Sequence, residues 1–287
     1  MLSDDGRRVG CQLRGALRKR GKHNAIVVGD RVEITLEDAV EGALRGCVES
    51  VEPRRNWISR KRAVGDGREL MLVANVDQVI AFFAVQKPRL KFGALDRLLV
   101  AAESRDLPAT IVLNKIDLGV PEEVEERGAI YPDLGYRVLR ASVTSGEGID
   151  ELREVLRGKV SVVVGPSGVG KSSLLNAICP ELDLRVGAVS HHNEKGRHTT
   201  TAVSWFPVPE IEGAIVDTPG FRDYGLWGLT PRELVAAMPD LSELAGGCHF
   251  SDCRHVSEPG CEVRAAVERD EVSANRYDSY RYMLETL

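Results

Sequence analysis

No segment of this 287-residue chain approaches the ~18 consecutive apolar residues of a membrane-spanning helix. The opening MLSDDGRRVG has two acids where a secretory signal needs basic residues and then an apolar run, so a cytoplasmic protein without membrane contact is expected. Neither an internal repeat nor a low-complexity tract is present, and with no heptad or apolar repeat demanding a second copy, a monomer is expected. Cysteine is sparse and unevenly placed. Cys11, Cys47 and Cys179 lie apart in apolar surroundings, whereas Cys248, Cys253 and Cys261 crowd together near the C-terminus. That distribution argues against a disulfide framework and for reduced cysteines plus a metal site. What is present is a globular composition, 43% apolar, 28% charged and 5% aromatic, in a length that suits two or three domains of ~100–200 residues each.

The net charge of −5 would discourage a nucleic-acid partner, but it averages two unlike parts. Residues 1–65 hold 14 Lys+Arg against 9 Asp+Glu, while the rest holds 24 against 34. A basic head on an acidic body is the pattern of a protein in which one module touches phosphates.

Residues 7–65 read as short strands, RVGCQLRGAL, AIVVGDRVEITL and GALRGCVESVEP, broken by Gly-rich turns, which predicts a small β-barrel of OB type. From LMLVANVDQVIAFFAV at residue 70 the texture changes to apolar strands alternating with helical stretches, LDRLLVAAESRD, ATIVLNKIDL and PEEVEERGAIYPDL, then VSVVVG and GAIVD. That alternation predicts a mostly parallel α/β sheet. Beyond it lie TPRELVAAMPDLSEL, the cysteine cluster and a last stretch in which Tyr277, Tyr280 and Leu284 recur at helical spacing. The expected fold is therefore multidomain α/β, with domains at 1–65, 66–223 and 224–287.

GPSGVGKSS, comprising Gly165, Pro166, Ser167, Gly168, Val169, Gly170, Lys171, Ser172 and Ser173, follows an apolar strand and opens a helix. This is the strand, loop and helix context of a phosphate-binding P-loop. Glycines let the backbone bend around phosphates and point its N–H groups inward, and the helix N-terminus adds a favourable dipole. Lys171 is expected on the β and γ phosphates, and the Ser172 hydroxyl on Mg²⁺. The base is indicated by NKID: the Asp117 carboxylate can accept from both N1–H and the exocyclic amine of guanine, a donor pair that adenine lacks. Asn114 can bond the base and the local backbone, and the Lys115 stem can cover the ring. DTPG places Asp217 for Mg²⁺ and Gly220 for the γ-phosphate, again at the end of an apolar strand. Ser142 and Val143, in RASVTSGEG, are expected to back the guanine, and one of Thr199, Thr200 and Thr201 in GRHTTT, with Thr200 the first choice, to complete the Mg²⁺ shell. Phe221 stands after Gly220, where a water-orienting Gln would be useful, so polar help in hydrolysis must come from elsewhere; His198 is the nearest candidate in sequence. The base reader precedes the P-loop in the chain, the reverse of the order expected around such a site.

CHFSDCRHVSEPGC spaces Cys248, Cys253, His255 and Cys261 as C-x4-C-x-H-x5-C. Three thiolates and one imidazole complete a tetrahedral Zn²⁺ shell with no open position, which predicts one structural ion. In so short a segment the metal supplies much of the folding energy.

This order of motifs, together with GDRV at 29–32, ANVDQ at 74–78, LDRLLVAAE at 95–103, GRHTTT and DTPGF, resembles the circularly permuted, small-subunit-dependent GTPases of the RsgA family. Val143 departs from that family's usual alanine. The resemblance implies an OB-fold, a permuted P-loop GTPase domain and a helical zinc-binding C-terminal domain. It also implies that the protein acts on the small ribosomal subunit and its rRNA late in maturation, with GTP hydrolysis stimulated by that particle and release of other assembly factors. For RNA contact, Arg7, Arg8, Arg18, Lys19, Arg20, Arg54 and Arg55 would track phosphates, with Trp57 available to stack on a base. A further expectation is that the nucleotide state reaches the C-terminal domain through the junction at Gly220 and Phe221.

Overall fold

Apolar runs such as QVIAFFA and VSVVV cannot divide their side chains between core and solvent, so they need cover on both faces of a sheet. A computed structural model describes residues 1–3, 6–15, 17, 25–40, 43–61, 69–182, 203–217, 226 and 228–287. Its contacts divide the chain into two compact units, Met1–Asn75 and Val76–Leu287.

The first unit contains β1 (Gly10–Leu13), β2 (Val32–Val40), β3 (Ala43–Val51), β4 (Trp57–Lys61) and β5 (Glu69–Ala74). One sheet has the order β1-β3-β2, with β1 parallel and β2 antiparallel to β3. A second sheet pairs β4 with β5 antiparallel, and an isolated bridge joins Val28 to Val73. Val9, Val48, Ile58, Leu72, Val73 and Ala74 are its buried apolar residues among those described. Register shifts interrupt β2–β3 at two points and β4–β5 at one, the irregularities that bend short strands around a small core.

The second unit is built on a six-stranded sheet of β6 (Gln78–Ala84), β7 (Ala109–Asn114), β8 (Arg137–Ala141), β9 (Val160–Val164), β10 (Ser204–Val208) and β11 (Gly213–Asp217). The strand order is β10-β11-β9-β6-β7-β8; all pairs are parallel except that of β10 with β11. The connecting helices are α1 (Phe92–Glu103), α2 (Glu122–Gly128), α3 (Ile130–Asp133), α4 (Ile149–Leu156) and α5 (Lys171–Ile178). On one face Phe82, Val112, Leu152, Leu156, Val163, Leu174 and Ile215 form a buried cluster. LMLVANVDQVIAFFAV, continuous in apolar texture, is two strands of different sheets: β5 pairs with β4, and β6 joins the parallel sheet.

The C-terminal helices are α6 (Pro231–Ala236), α7 (Pro239–Ala245), α8 (Glu262–Glu268) and α9 (Ala274–Glu285). Helix α6 opens with a capping box, in which the Thr230 side chain accepts from the Glu233 N–H and Glu233 accepts from the Thr230 N–H. Pro231 and Pro239 sit in first turns, where a missing N–H costs no helical bond. Leu234, Met238, Leu241, Val263, Ala266, Tyr280 and Met283 bury together with Val100 of α1, so these helices share a core with the sheet's own helix.

Candidate nucleotide site and metal centre

The parallel strands bring their carboxyl ends to one edge, where the sequence motifs lie. In sheet order that edge presents Asp217 (β11), the P-loop (β9), the turn after β6, Asn114 (β7), and Ser142 just beyond β8. Strand neighbours lie ~4.8 Å apart, so the carboxyl ends of β9 and β7, two strands along, are separated by roughly 10 Å.

At Gly165 and Gly170 the P-loop passes so close to its neighbours that a side chain is excluded. A Cβ on Gly165 would strike the Phe82 carbonyl of β6, and one on Gly170, at φ +95°, would strike the Asn114 amide. Asn114 Nδ2 donates to Val169 O at 2.7 Å, and Lys115 Nζ donates to Gly168 O at 2.6 Å and to Lys87 O. The end of β7 and the P-loop are thus tied directly. Asn114 is 2% exposed, and its Oδ1 has no partner among the described residues, although buried side-chain oxygens nearly always have one. An acceptor of this kind fits a site completed by a ligand.

Lys171, at the start of α5, is buried and donates to Gly165 O at 2.7 Å and Pro166 O at 2.8 Å. Burial draws its ammonium down to about 8, against the upward pull of Asp217. Ser172 is buried beside it, Val169 packs into the core, and Ser167 and Gly168 face solvent. At the other end of the edge, fully buried Ser142 donates to Asp117 Oδ1 at 2.6 Å and accepts from the Thr144 and Ser145 N–H groups. Its hydroxyl therefore orients one oxygen of the exposed Asp117 carboxylate, while Val143 next to it is 42% exposed. His198, Thr200, Gly220 and Phe221 lie outside the described residues, as do Arg18, Lys19 and Arg20.

Cys248, Cys253, His255 and Cys261 converge, with their ligating atoms all within 4.8 Å of one another. His255 Nδ1 lies 3.4 Å from Cys248 Sγ and 3.5 Å from Cys261 Sγ, and the two sulfurs are 4.0 Å apart. Bonds of ~2.3 Å to sulfur and ~2.0 Å to nitrogen in a tetrahedron give edges of roughly 3.5–3.8 Å, so the cluster fits Zn²⁺. Burial pushes the Cys253 thiol up to about 12, raises that of Cys261, and lowers His255 toward the neutral, ligating imidazole. Gathering thiolates at such a place requires a cation. Around the cluster, Tyr277 donates to His255 O at 2.6 Å and Tyr280 to Arg254 O at 2.8 Å, while the Glu258 carboxylate accepts from the N–H groups of Arg254, Val256 and Ser257. Those N–H groups outweigh the effect of burial and hold Glu258 down at about 2.

The model of the RsgA GTPase family matches residues 51–227. A curated relative from Gemmatimonas aurantiaca, "Small ribosomal subunit biogenesis GTPase RsgA", is 42% identical over 98% of this chain and 91% of its own length. The chain belongs to the RsgA GTPase family. An RsgA of Bacteroides fragilis is 37% identical over 99% of this chain and 91% of its own. Among solved structures, that of YjeQ from Thermotoga maritima superposes with a TM-score of 0.78 at 38% identity, covering 99% of this chain and 91% of that one. YloQ, described as a circularly permuted GTPase, gives 0.72 at 29% identity over 99% and 88%. Membership in the RsgA family brings GTP hydrolysis and, with it, Mg²⁺ bound alongside GTP. The permuted fold accounts for a base reader that precedes the P-loop in the chain. Among the described residues no helix is long and apolar enough to cross a membrane.

Two groupings in this RsgA-family chain were not legible in its sequence. Arg276 of α9 is 2% exposed and holds Asp240 of α7 through two bonds at 3.0 and 2.8 Å and Asp96 of α1 at 2.7 Å; Tyr131 donates to the same Asp96 oxygen. The faint signal was Asp96 itself, an acid on the apolar face of α1 between Leu95 and Leu99. In the first unit, Arg54 forms a two-bond pair with Asp30, whose side chain is 1% exposed, and so holds the fold together. Arg7 and Arg8 are exposed and line a groove of about 810 Å³ together with Arg45, which sequence reasoning passed over. Arg55 is exposed, with its guanidinium near Asn75 O, and Trp57 is 37% exposed.

Proposed function

We propose that this protein is a GTPase that binds the small ribosomal subunit and assists its late maturation, hydrolysing GTP to GDP and phosphate with ribosome-stimulated activity. The observation that carries the reading is the order along the sheet edge, from Asp217 through the P-loop to Asn114, Asp117 and Ser142. The printed name of the curated relatives supports the biological setting.

On this reading, residues Gly165 to Ser173 wrap the phosphates with backbone N–H groups, and Lys171 bonds the β and γ phosphates. Asn114, Lys115, Asp117, Ser142 and Val143 receive guanine. Mg²⁺ held near Ser172, Thr200 and Asp217 neutralises charge on the phosphates. Gly220 senses the γ-phosphate and His198 helps to orient the attacking water. One Zn²⁺ on Cys248, Cys253, His255 and Cys261 is structural, a role supported by the four-ligand donor set. The proposed domains are an OB-type barrel at 1–65, the permuted GTPase domain at 66–223 and the zinc domain at 224–287. The exposed Arg7, Arg8 and Arg55 and the basic groove support rRNA phosphate contact by the first of these, with Trp57 stacking on a base. The protein acts as a cytoplasmic monomer and promotes the departure of other assembly factors.

The test is GTP turnover measured with isolated small subunits, with large subunits and with neither. Stimulation by small subunits alone is expected, and equal rates in all three would overturn the function.

A further inference from the structure

We propose that Gln86 is a positioning residue for base recognition, its side-chain amide clasping the turn that carries Asp117. The proposal rests on the reading of Asn114 to Asp117 as the guanine reader. Asp117 lies in a single 3-10 turn, Ile116–Leu118, entered through Lys115 at φ 63° and left through Gly119 at φ 83°. Inside the turn, Leu118 N–H donates to Lys115 O and Gly119 N–H to Ile116 O, both at 3.0 Å. A lone turn of this type has poor hydrogen-bond geometry and holds its shape only with outside support.

That support comes from the neighbouring strand. Gln86 follows β6, whose ladder with β7 is carried one residue further by the Val85 N–H donating to Asn114 O at 2.9 Å. From this anchored base, Gln86 Nε2 donates to Leu118 O at 3.1 Å and to Gly119 O at 2.8 Å. The next residue adds a second tie, since Lys87 O accepts from Lys115 Nζ. Asp117 is therefore held twice: Ser142 fixes a carboxylate oxygen, and Gln86 fixes the backbone just beyond it.

To read guanine, a carboxylate must meet two ring donors at once, and hydrogen bonds weaken steeply once distance or angle drifts. Losing the clasp allows the turn to drift, so the carboxylate can follow one ring donor but no longer meets both at once, and the advantage of a base with two donors over a base with N1–H alone shrinks. Gln86 itself bonds the turn and not the P-loop, which is carried by β9 and α5, so phosphate binding is expected to change little. Gln86 is only partly buried, so its amide, more than its packing, is what a substitution removes. The role predicted is thus selective for the guanine exocyclic amine.

The experiment is calorimetric titration of the full chain, with Mg²⁺ and Zn²⁺ present, using GDP, IDP and ADP. IDP lacks only the exocyclic amine. In Gln86→Ala the preference for GDP over IDP falls by roughly threefold to tenfold, the worth of one or two weakened neutral hydrogen bonds, while IDP affinity stays within about twofold. Gln86→Lys retains a donor for the two carbonyls and keeps the preference. Gln86→Asn, polar but one methylene shorter, behaves like Gln86→Ala and stands in for it should that variant fold poorly. An unchanged preference in both short variants, or equal weakening of GDP and IDP, would overturn the positioning role. A wild-type chain that bound ADP as tightly as GDP would instead defeat the guanine reading itself.

Discussion

Replacing Arg276 by methionine keeps most of the side-chain volume but removes the guanidinium from between Asp96 and Asp240. In the structure Arg276 and Asp96 side chains are each 2% exposed and that of Asp240 is 11% exposed, so neither carboxylate can turn to water without opening the contact of α9 with α1 and α7. Burial by itself works against the Arg276 charge, yet Asp240 and Asp96 together raise its pKa above the ordinary arginine value. Removing one member of such a buried group costs about 3–5 kcal/mol, because the remaining charges are left uncompensated. Against a total stability of ~5–15 kcal/mol this is a large fraction. For a unit of this size, ~1 kcal/mol corresponds to roughly 2–4 °C, so Tm should fall by about 6–20 °C. Differential scanning calorimetry of the full chain with GDP and Zn²⁺ reads the shift. Adding Asp96→Leu and Asp240→Leu to the methionine variant should recover at least half of the loss, since the stranded carboxylates then disappear. A fall of less than about 3 °C in the single variant, or no recovery in the triple one, would refute the claim that buried charge holds the C-terminal helices to α1.

Two further outcomes follow from the site. Lys171 sits near pKa 8 before nucleotide arrives, chiefly through burial, and phosphate oxygens favour its charged form. GDP binding at pH 8 should therefore take up as much as about half a proton, and affinity should fall as pH rises from 7 to 9; calorimetry in buffers of different ionisation enthalpy measures this, and zero uptake would contradict it. If the proposed Zn²⁺ is structural, its removal with a chelator should speed amide hydrogen exchange across residues 248–261 by at least about tenfold and reversibly, because such an ion would supply folding energy there, while exchange in β6, β7 and β9 stays unchanged. Unaltered exchange in the cysteine segment would argue against a structural ion.

Much of the parallel sheet was readable because its strands are long apolar runs separated by helices with clear punctuation. ATIVLN, VSVVV and GAIVD became β7, β9 and β11, and the tyrosine spacing became α9 with Tyr280 fully buried. The P-loop and the cysteine cluster were readable for a related reason: their chemistry needs fixed spacings over a few residues. Texture failed at LMLVANVDQVIAFFAV, since hydrophobicity reports burial and not which partner strand supplies it; β5 pairs with β4 and β6 with β7 and β9. Composition also failed to rank the arginines. Arg54 and Arg55 are adjacent in sequence, yet one is tied to buried Asp30 and the other is exposed.

The sequence alone determined the chemical inventory: a Gly-rich P-loop motif, an NKID stretch, a carboxylate at a strand end and a Cys/His set, each carried by a short stretch. Only the tertiary structure decided how these stretches meet. The parallel pairing of β11, β9, β6, β7 and β8 places them along one edge, whatever their order in the chain. It also brings the Gln86 amide to Leu118 and Gly119, and the Arg276 guanidinium to Asp96, 180 residues away. Such contacts depend on which surfaces can be buried together, and local periodicity carries no record of that.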